Sequence, residues 1–207
     1  MPNGKLITIE GIEGAGKSTA VKYIQQFLQE NQQNFILTRE PGGTPLAEQI
    51  RNIVLKPNDE KLCDDAELLL MFAARAQHIS QKIKPALLNG QTVVSDRFVD
   101  ATYAYQGGGR KLSLAKIKSL EDWIVKNCYP DLTILLDVSP ELGLQRAKNR
   151  GAHDRIEQES LIFFADVRAA YLERAKEFSS RFRIIDAAQS PDKVKSKILS
   201  CLTELFK

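Results

Sequence analysis

Leu6-Ile7-Thr8-Ile9-Glu10 runs straight into Gly11-Ile12-Glu13-Gly14-Ala15-Gly16-Lys17-Ser18, followed by Thr19. The first five residues read as a short buried strand, and Ser18 to Gln29 reads as a helix. The segment between them satisfies every fixed position of the phosphate-binding loop G-x-x-x-x-G-K-[ST]. Strand, glycine-rich loop and helix is the context this motif needs. Successive backbone N–H groups from Gly11 through Thr19 can curl round an oligophosphate, and the helix N-terminus adds positive potential. Lys17 is expected to reach the outer phosphates and the Ser18 hydroxyl to hold Mg²⁺. The loop names a nucleotide without saying whether the protein is a kinase, a GTPase or a motor.

Working outward, strand-like runs alternate with helix-like ones. Strands are predicted at Lys5–Glu10, Phe35–Thr38, Thr92–Ser95, Leu132–Asp137 and Phe182–Asp186. Helices are predicted near 17–31, 46–56, 65–89, 112–127, 140–150, 157–178 and 191–206. Runs such as Leu132-Thr133-Ile134-Leu135-Leu136 lack clean alternation, as strands covered on both faces do. An α/β fold with a parallel sheet flanked by helices is expected. The 207 residues suit a single domain, 1–207, with no internal repeat or linker.

Composition narrows the function classes. The net charge of +3 is too slight to argue for nucleic acid or a membrane surface. No apolar run approaches the roughly 18–20 residues that span a bilayer. The first strand follows Met1 too closely for a signal peptide, so a cytoplasmic protein is expected. Cys63, Cys128 and Cys201 are odd in number and far apart, which supports neither disulfides nor a zinc site.

In a parallel sheet, ligands bind beyond the carboxyl ends of the strands. The phosphate loop, Arg39-Glu40-Pro41-Gly42-Gly43, Asp96-Arg97 and Asp137 fall at such ends. Arg39-Glu40-Pro41-Gly42-Gly43 reads either as a solvated turn or as a rigid shelf with Glu40 facing a polar group or metal-bound water. Arg51, on the next helix, is in reach of a phosphate. Asp96-Arg97 reads as an acid near Mg²⁺ beside a phosphate-gripping arginine, or else as a helix cap paired with its neighbour. Asp137, before Ser139-Pro140, is expected to be structural. Gln106-Gly107-Gly108-Gly109-Arg110 offers a base-reading amide on glycines that either stay mobile or approach a ligand closely. Arg146 and Arg150 share one helix face and, with Lys148, suit a mobile basic lid at about 146–155; the alternative is a solvated face. His78 and His153 are read as incidental.

Taken together, Gly11–Ser18, Thr38–Gly43, Asp96-Arg97-Phe98, Tyr105–Arg110 and Asp154–Glu159 make the chain similar to the bacterial thymidylate kinases over nearly its whole length. The resemblance implies a five-stranded parallel sheet, a homodimer, and transfer of the γ-phosphoryl of MgATP to dTMP. It implies that Glu13 holds the sugar 3′-hydroxyl and that Arg51 and Arg97 clamp the acceptor phosphate. Glu40 and Pro41 would sit at the dTMP end, with Glu40 and Asp96 near the metal. Arg75 would bond the thymine O4, and Thr102 and Gln106 would complete the pocket. Ala15 stands where some relatives carry a basic residue. This looks like the subtype in which a lid arginine supplies the transition-state charge, Arg150 ahead of Lys148, with Arg146 on the ATP side. Many relatives place a stacking Phe four residues before the base-reading Arg. Here Met71 is there and Phe72 is one nearer, so Phe72 is expected as the base platform and Met71 as pocket lining; a core or dimer-interface role is the alternative.

Rival classes make different demands. Another nucleoside monophosphate kinase would differ in the base pocket. A GTP switch needs N-K-x-D and D-x-x-G, and neither occurs in the chain. A nonenzymatic nucleotide-binding regulator needs no acceptor clamp.

Overall fold

The computed structural model describes residues 4–57, 60–148 and 155–207. Five parallel strands, β1 (Leu6–Glu10), β2 (Phe35–Arg39), β3 (Thr92–Asp96), β4 (Leu132–Asp137) and β5 (Phe182–Asp186), form one sheet in the order β2-β3-β1-β4-β5. The predicted strands differ from these by at most one residue at an end. β1 lies at the centre, paired with β3 through Ile9↔Asp96 and with β4 through Glu10↔Leu135. All five of its residues are buried. Successive side chains point to opposite faces. Leu6 joins Phe72, Ile83 and Ile117 on one side, and Ile7 and Ile9 join Ile24, Leu28 and Ile198 on the other. Each of these apolar side chains contributes about 2 kcal/mol by leaving water.

The helices that cover the sheet are α1 (Lys17–Glu30), α2 (Pro45–Leu55), α3 (Asp64–His78), α4 (Lys84–Leu88), α5 (Val99–Thr102), α6 (Leu114–Ile124), α7 (Pro140–Lys148), α8 (Leu161–Glu177) and α9 (Pro191–Leu205). Two boundaries have clear local causes. Thr44 caps α2 by accepting from the Ala47 N–H at 3.2 Å, and Ser160 caps α8 by accepting from the Phe163 N–H at 3.1 Å. The Ser160 cap makes α8 start four residues later than the predicted 157. The predicted helix 65–89 is interrupted by a π-helical stretch, Ile79–Ile83, ahead of Pro85.

The glycine run overturns the reading of a mobile loop. Tyr103–Gly109 is π-helical and mostly buried. A Cβ on Gly108 would stand 2.6 Å from the Ala170 Cβ, and one on Gly109 2.4 Å from the Phe163 ring. The glycines let this segment press against α8; the close approach is to the protein itself. Asp137 is structural, as expected: Arg168 grips it in a fork at 2.6 and 2.8 Å. Among the described residues no helix is long and apolar enough to cross a membrane.

Candidate active site

The carboxyl ends of β1, β2 and β3 meet over a cavity of about 290 Å³ lined by the phosphate loop, Glu40, Arg51, Met71, Asp96, Arg97 and Gln106. A second cavity of about 500 Å³ beside Tyr103, Leu114 and Arg174 is a weaker candidate. Its buried guanidinium is already committed, to Asp100 at 2.9 Å.

At the phosphate loop, Gly16 stands at the N-cap of α1 with φ of 96°, and the helix has no side-chain cap and no acid in its first turn. The first N–H groups of a helix lack intrahelical partners, so this end is built to receive an anion. Lys17 donates to the carbonyls of Gly11 at 3.0 Å and Ile12 at 2.9 Å. Lys17 is partly exposed at its surface but crowded by neighbouring atoms. This desolvation, followed by the charge of Arg97, lowers its pKa to about 8.

Arg97 is held by an unusual backbone. Its φ of 73° is in the left-handed region, which costs a non-glycine residue about 1–3 kcal/mol. Three bonds hold the turn: Arg97 N–H to the Ile9 carbonyl at 2.9 Å, the Ser95 hydroxyl to the Arg97 carbonyl at 2.7 Å, and the Phe98 N–H to Glu10 Oε1 at 2.7 Å. The guanidinium then donates to the Gly11 carbonyl at 3.1 Å, the Tyr171 hydroxyl at 3.2 Å and Glu13 at 2.7 Å, and lies over the Tyr105 ring. Glu13 also accepts from the Tyr105 hydroxyl at 2.6 Å. Glu13 and Arg97, for which the resemblance implies separate roles on the sugar and the acceptor phosphate, are thus in direct contact among the cavity's lining residues.

Glu10, Tyr105 and Tyr171 receive no role from the sequence. Glu10 is fully buried and also accepts from Tyr171 at 2.7 Å. Burial, then the nearby charge of Asp100, raises its pKa to about 8. An acid raised in the folded state contributes most stability below its unfolded pKa, near 4.5, and loses that contribution as pH rises towards 8. Glu10→Gln cannot ionise. The melting temperature of the wild type is therefore expected to fall relative to that of the variant between pH 5 and 8, followed by circular dichroism. Parallel curves would show that Glu10 does not titrate there. An ionisable residue closing an apolar strand, the argument already applied to Asp96, is the signal that could have found it.

Several expected residues are placed differently. Phe72 does not line the cavity: it packs in the core against Leu68 and Val99, under the Arg75 guanidinium at 4.9 Å. Met71, one position round the helix, faces the cavity, because a 100° step separates neighbours on α3. Glu40 is not set out as a metal ligand. Its oxygens accept from Arg75 Nε at 2.8 Å and His78 Nδ1 at 2.9 Å, and it is 3% exposed, since a buried carboxylate needs a cation and donors beside it. His78 is therefore not incidental: it joins Glu40 to the Thr38 hydroxyl, 2.6 Å from its Nε2. Pro41 accepts from Arg51 at 2.9 Å. Asp96 makes no capping bond to the next helix. Arg146 donates to the Ala187 carbonyl at 2.9 Å, after β5. Arg150 and His153 fall in 149–154, outside the described residues.

Six buried polar atoms have no hydrogen-bond partner among the described residues: Arg75 Nη1, Asp96 Oδ1, Thr102 Oγ1, Gln106 Oε1, and Nε and Nη2 of Arg110, which stand in ion-pair range of Asp64 and Glu67. Native proteins rarely leave such groups unpaired. Asp96 and Gln106 are among the residues that line the cavity; Arg75 and Thr102 are buried.

The thymidylate kinase family model matches residues 9–198. The chain is 52% identical over 198 residues to a thymidylate kinase of Hahella chejuensis, covering 96% of this chain and 95% of that one. It is 53% identical over 196 residues to a thymidylate kinase of Pseudomonas putida, covering 95% and 93%. The crystal structure of thymidylate kinase from Ehrlichia chaffeensis superposes with a TM-score of 0.78 at 32% identity, covering 98% of this chain and 99% of that one. The likeness runs from end to end, and the chain belongs to the thymidylate kinase family.

Proposed function

We infer that the protein is a thymidylate kinase, transferring the γ-phosphoryl of ATP to dTMP to give dTDP and ADP for dTTP synthesis. One observation carries the reading beyond family membership. The cavity joins an open helix N-terminus, suited to phosphates, to the unpaired Gln106 Oε1, suited to the edge of a base.

The acceptor is a phosphate oxygen that is already anionic, so no strong general base is needed. Positioning and charge neutralisation carry the chemistry. Gly11 to Thr19 cradle the donor phosphates, with Lys17 on the outer ones and Arg146 on the nucleoside side. Arg97 and Arg51 hold the acceptor phosphate. Glu13, fixed by Arg97 and Tyr105, meets the sugar hydroxyl. Arg75, Thr102 and Gln106 take the base over Met71, and Glu40 holds Arg75 in place. A Mg²⁺ bound with ATP fits the donors present: the Ser18 hydroxyl and the unpaired Asp96 Oδ1 line one cavity. The ion would supply neutralising charge to the phosphates. The chain acts as a single cytoplasmic domain, and exposed Leu69 on α3 and Trp123 on α6 suit pairing of two copies as a homodimer.

The test is ADP release from MgATP across dTMP, dUMP, UMP, CMP, AMP and GMP. A strong preference for dTMP is expected. Preference for another acceptor would keep the phosphate chemistry and overturn the base pocket, and binding without turnover would make the protein a regulator.

A further inference from the structure

Gln106 lines the cavity with its amide almost wholly enclosed, 3% exposed. An amide can face either way, and the two orientations present opposite chemistry to a ligand. Here the choice is made by Glu67 on α3. Glu67 is 1% exposed, and its Oε1 lies 2.7 Å from Gln106 Nε2. Its other oxygen accepts from Arg155 Nη2, and Arg110 Nη2 stands 3.5 Å from the same atom. Burial alone would raise this carboxyl, but the hydrogen bonds from Arg155 and Gln106 and the charge of Arg110 outweigh it and hold it below the ordinary glutamate value. Near neutral pH Glu67 is therefore an acceptor only. Gln106 must turn its NH₂ towards Glu67. That leaves Oε1 on the other side, buried and unpartnered among the described residues.

An enclosed acceptor with no partner calls for a donor on the ligand. The unpaired Arg75 Nη1 is a buried donor calling for an acceptor. Thymine presents an N3–H donor beside the O4 acceptor. Cytosine presents the reverse, a bare N3 beside an amino group. We propose that Glu67 is a positioning residue for base selection, locking the Gln106 amide so that the site admits a base with a ring N–H beside a carbonyl and rejects one with a bare ring nitrogen beside an amine. This rests on the reading of the cavity as the dTMP site.

The experiment compares kcat/KM for dTMP and dCMP in the wild type and in Glu67→Gln. The introduced amide can donate as well as accept, which frees Gln106 to flip. The dTMP-to-dCMP ratio is expected to fall by about ten-fold or more, with dCMP holding or gaining while dTMP loses. A merely structural role would lower both substrates alike and leave the ratio unchanged, and that result would overturn the inference. A wild type that does not discriminate between the two would overturn the inference together with the proposed function. Should Glu67→Gln fail to fold by circular dichroism, the wild type decides through calorimetric binding of 3-methyl-dTMP, which lacks the donor. Binding weaker than dTMP by about ten-fold or more supports an acceptor at Oε1, and equal binding overturns it.

Discussion

Lys17→Ala is expected to lower kcat by about 10³-fold while the protein stays folded, because the lost ammonium is the charge closest to the transferring phosphates. Two observations set this expectation. Lys17 already bends over the loop to the Gly11 and Ile12 carbonyls, so its Nζ is held at the mouth of the nest of N–H groups. Its pKa near 8, lowered by desolvation and by Arg97, makes the free site poor at holding this charge and favours an arriving anion as its partner. ATP binding by the wild type near pH 8 is therefore accompanied by proton uptake, and the variant lacks that uptake. Calorimetry in two buffers of different ionisation enthalpy measures it. Steady-state kinetics in which Lys17→Ala changes KM for ATP but leaves kcat intact would reduce the residue to a binding contact.

Arg97→Lys is the second large effect. The charge is kept, but the planar fork that reaches the Gly11 carbonyl, the Tyr171 hydroxyl and Glu13 together is lost. A lysine adopts the left-handed backbone at the same cost as arginine, so stability is expected to change little at the turn itself. We expect kcat with dTMP to fall by about 10²-fold or more, with a smaller rise in KM for dTMP. A rise in KM with kcat unchanged would mean that Arg97 binds the acceptor equally in the ground and transition states. Tyr171→Phe serves as a graded comparison: it removes one partner of the fork and leaves the Glu13 pair, so its loss is expected to be smaller.

Much of this machinery is legible in the order of the amino acids. The phosphate loop can be read because its function is local: eight consecutive residues supply the glycines, the lysine and the hydroxyl, and the strand and helix on either side place them. The strands can be read because burial on both faces leaves β1, β3 and β4 as short β-branched and apolar stretches without clean polar alternation. The base pocket is less legible. Phe72 and Met71 are adjacent in sequence, and only the rotation of α3 against its neighbours decides which of them faces the cavity. The glycines at 107–109 suit a flexible loop and a closely packed one equally; Ala170 and Phe163 on α8 decide for packing. For Glu40 the sequence indicates the right region and the wrong partners, because Arg75 and His78 lie 35 and 38 residues away.

By itself, then, the sequence determined the sheet's strands, the nucleotide loop and the ends of the strands where chemistry had to lie, since periodicity and motif spacing act over a few residues. The tertiary structure alone decided the second layer: Glu10 and Tyr171 behind Arg97, His78 behind Glu40, Glu67 behind Gln106. These pairs join residues 38 to 161 positions apart. A buried charge or amide takes whatever partner the packed elements bring to it, and that pairing exists only once the helices have docked on the sheet.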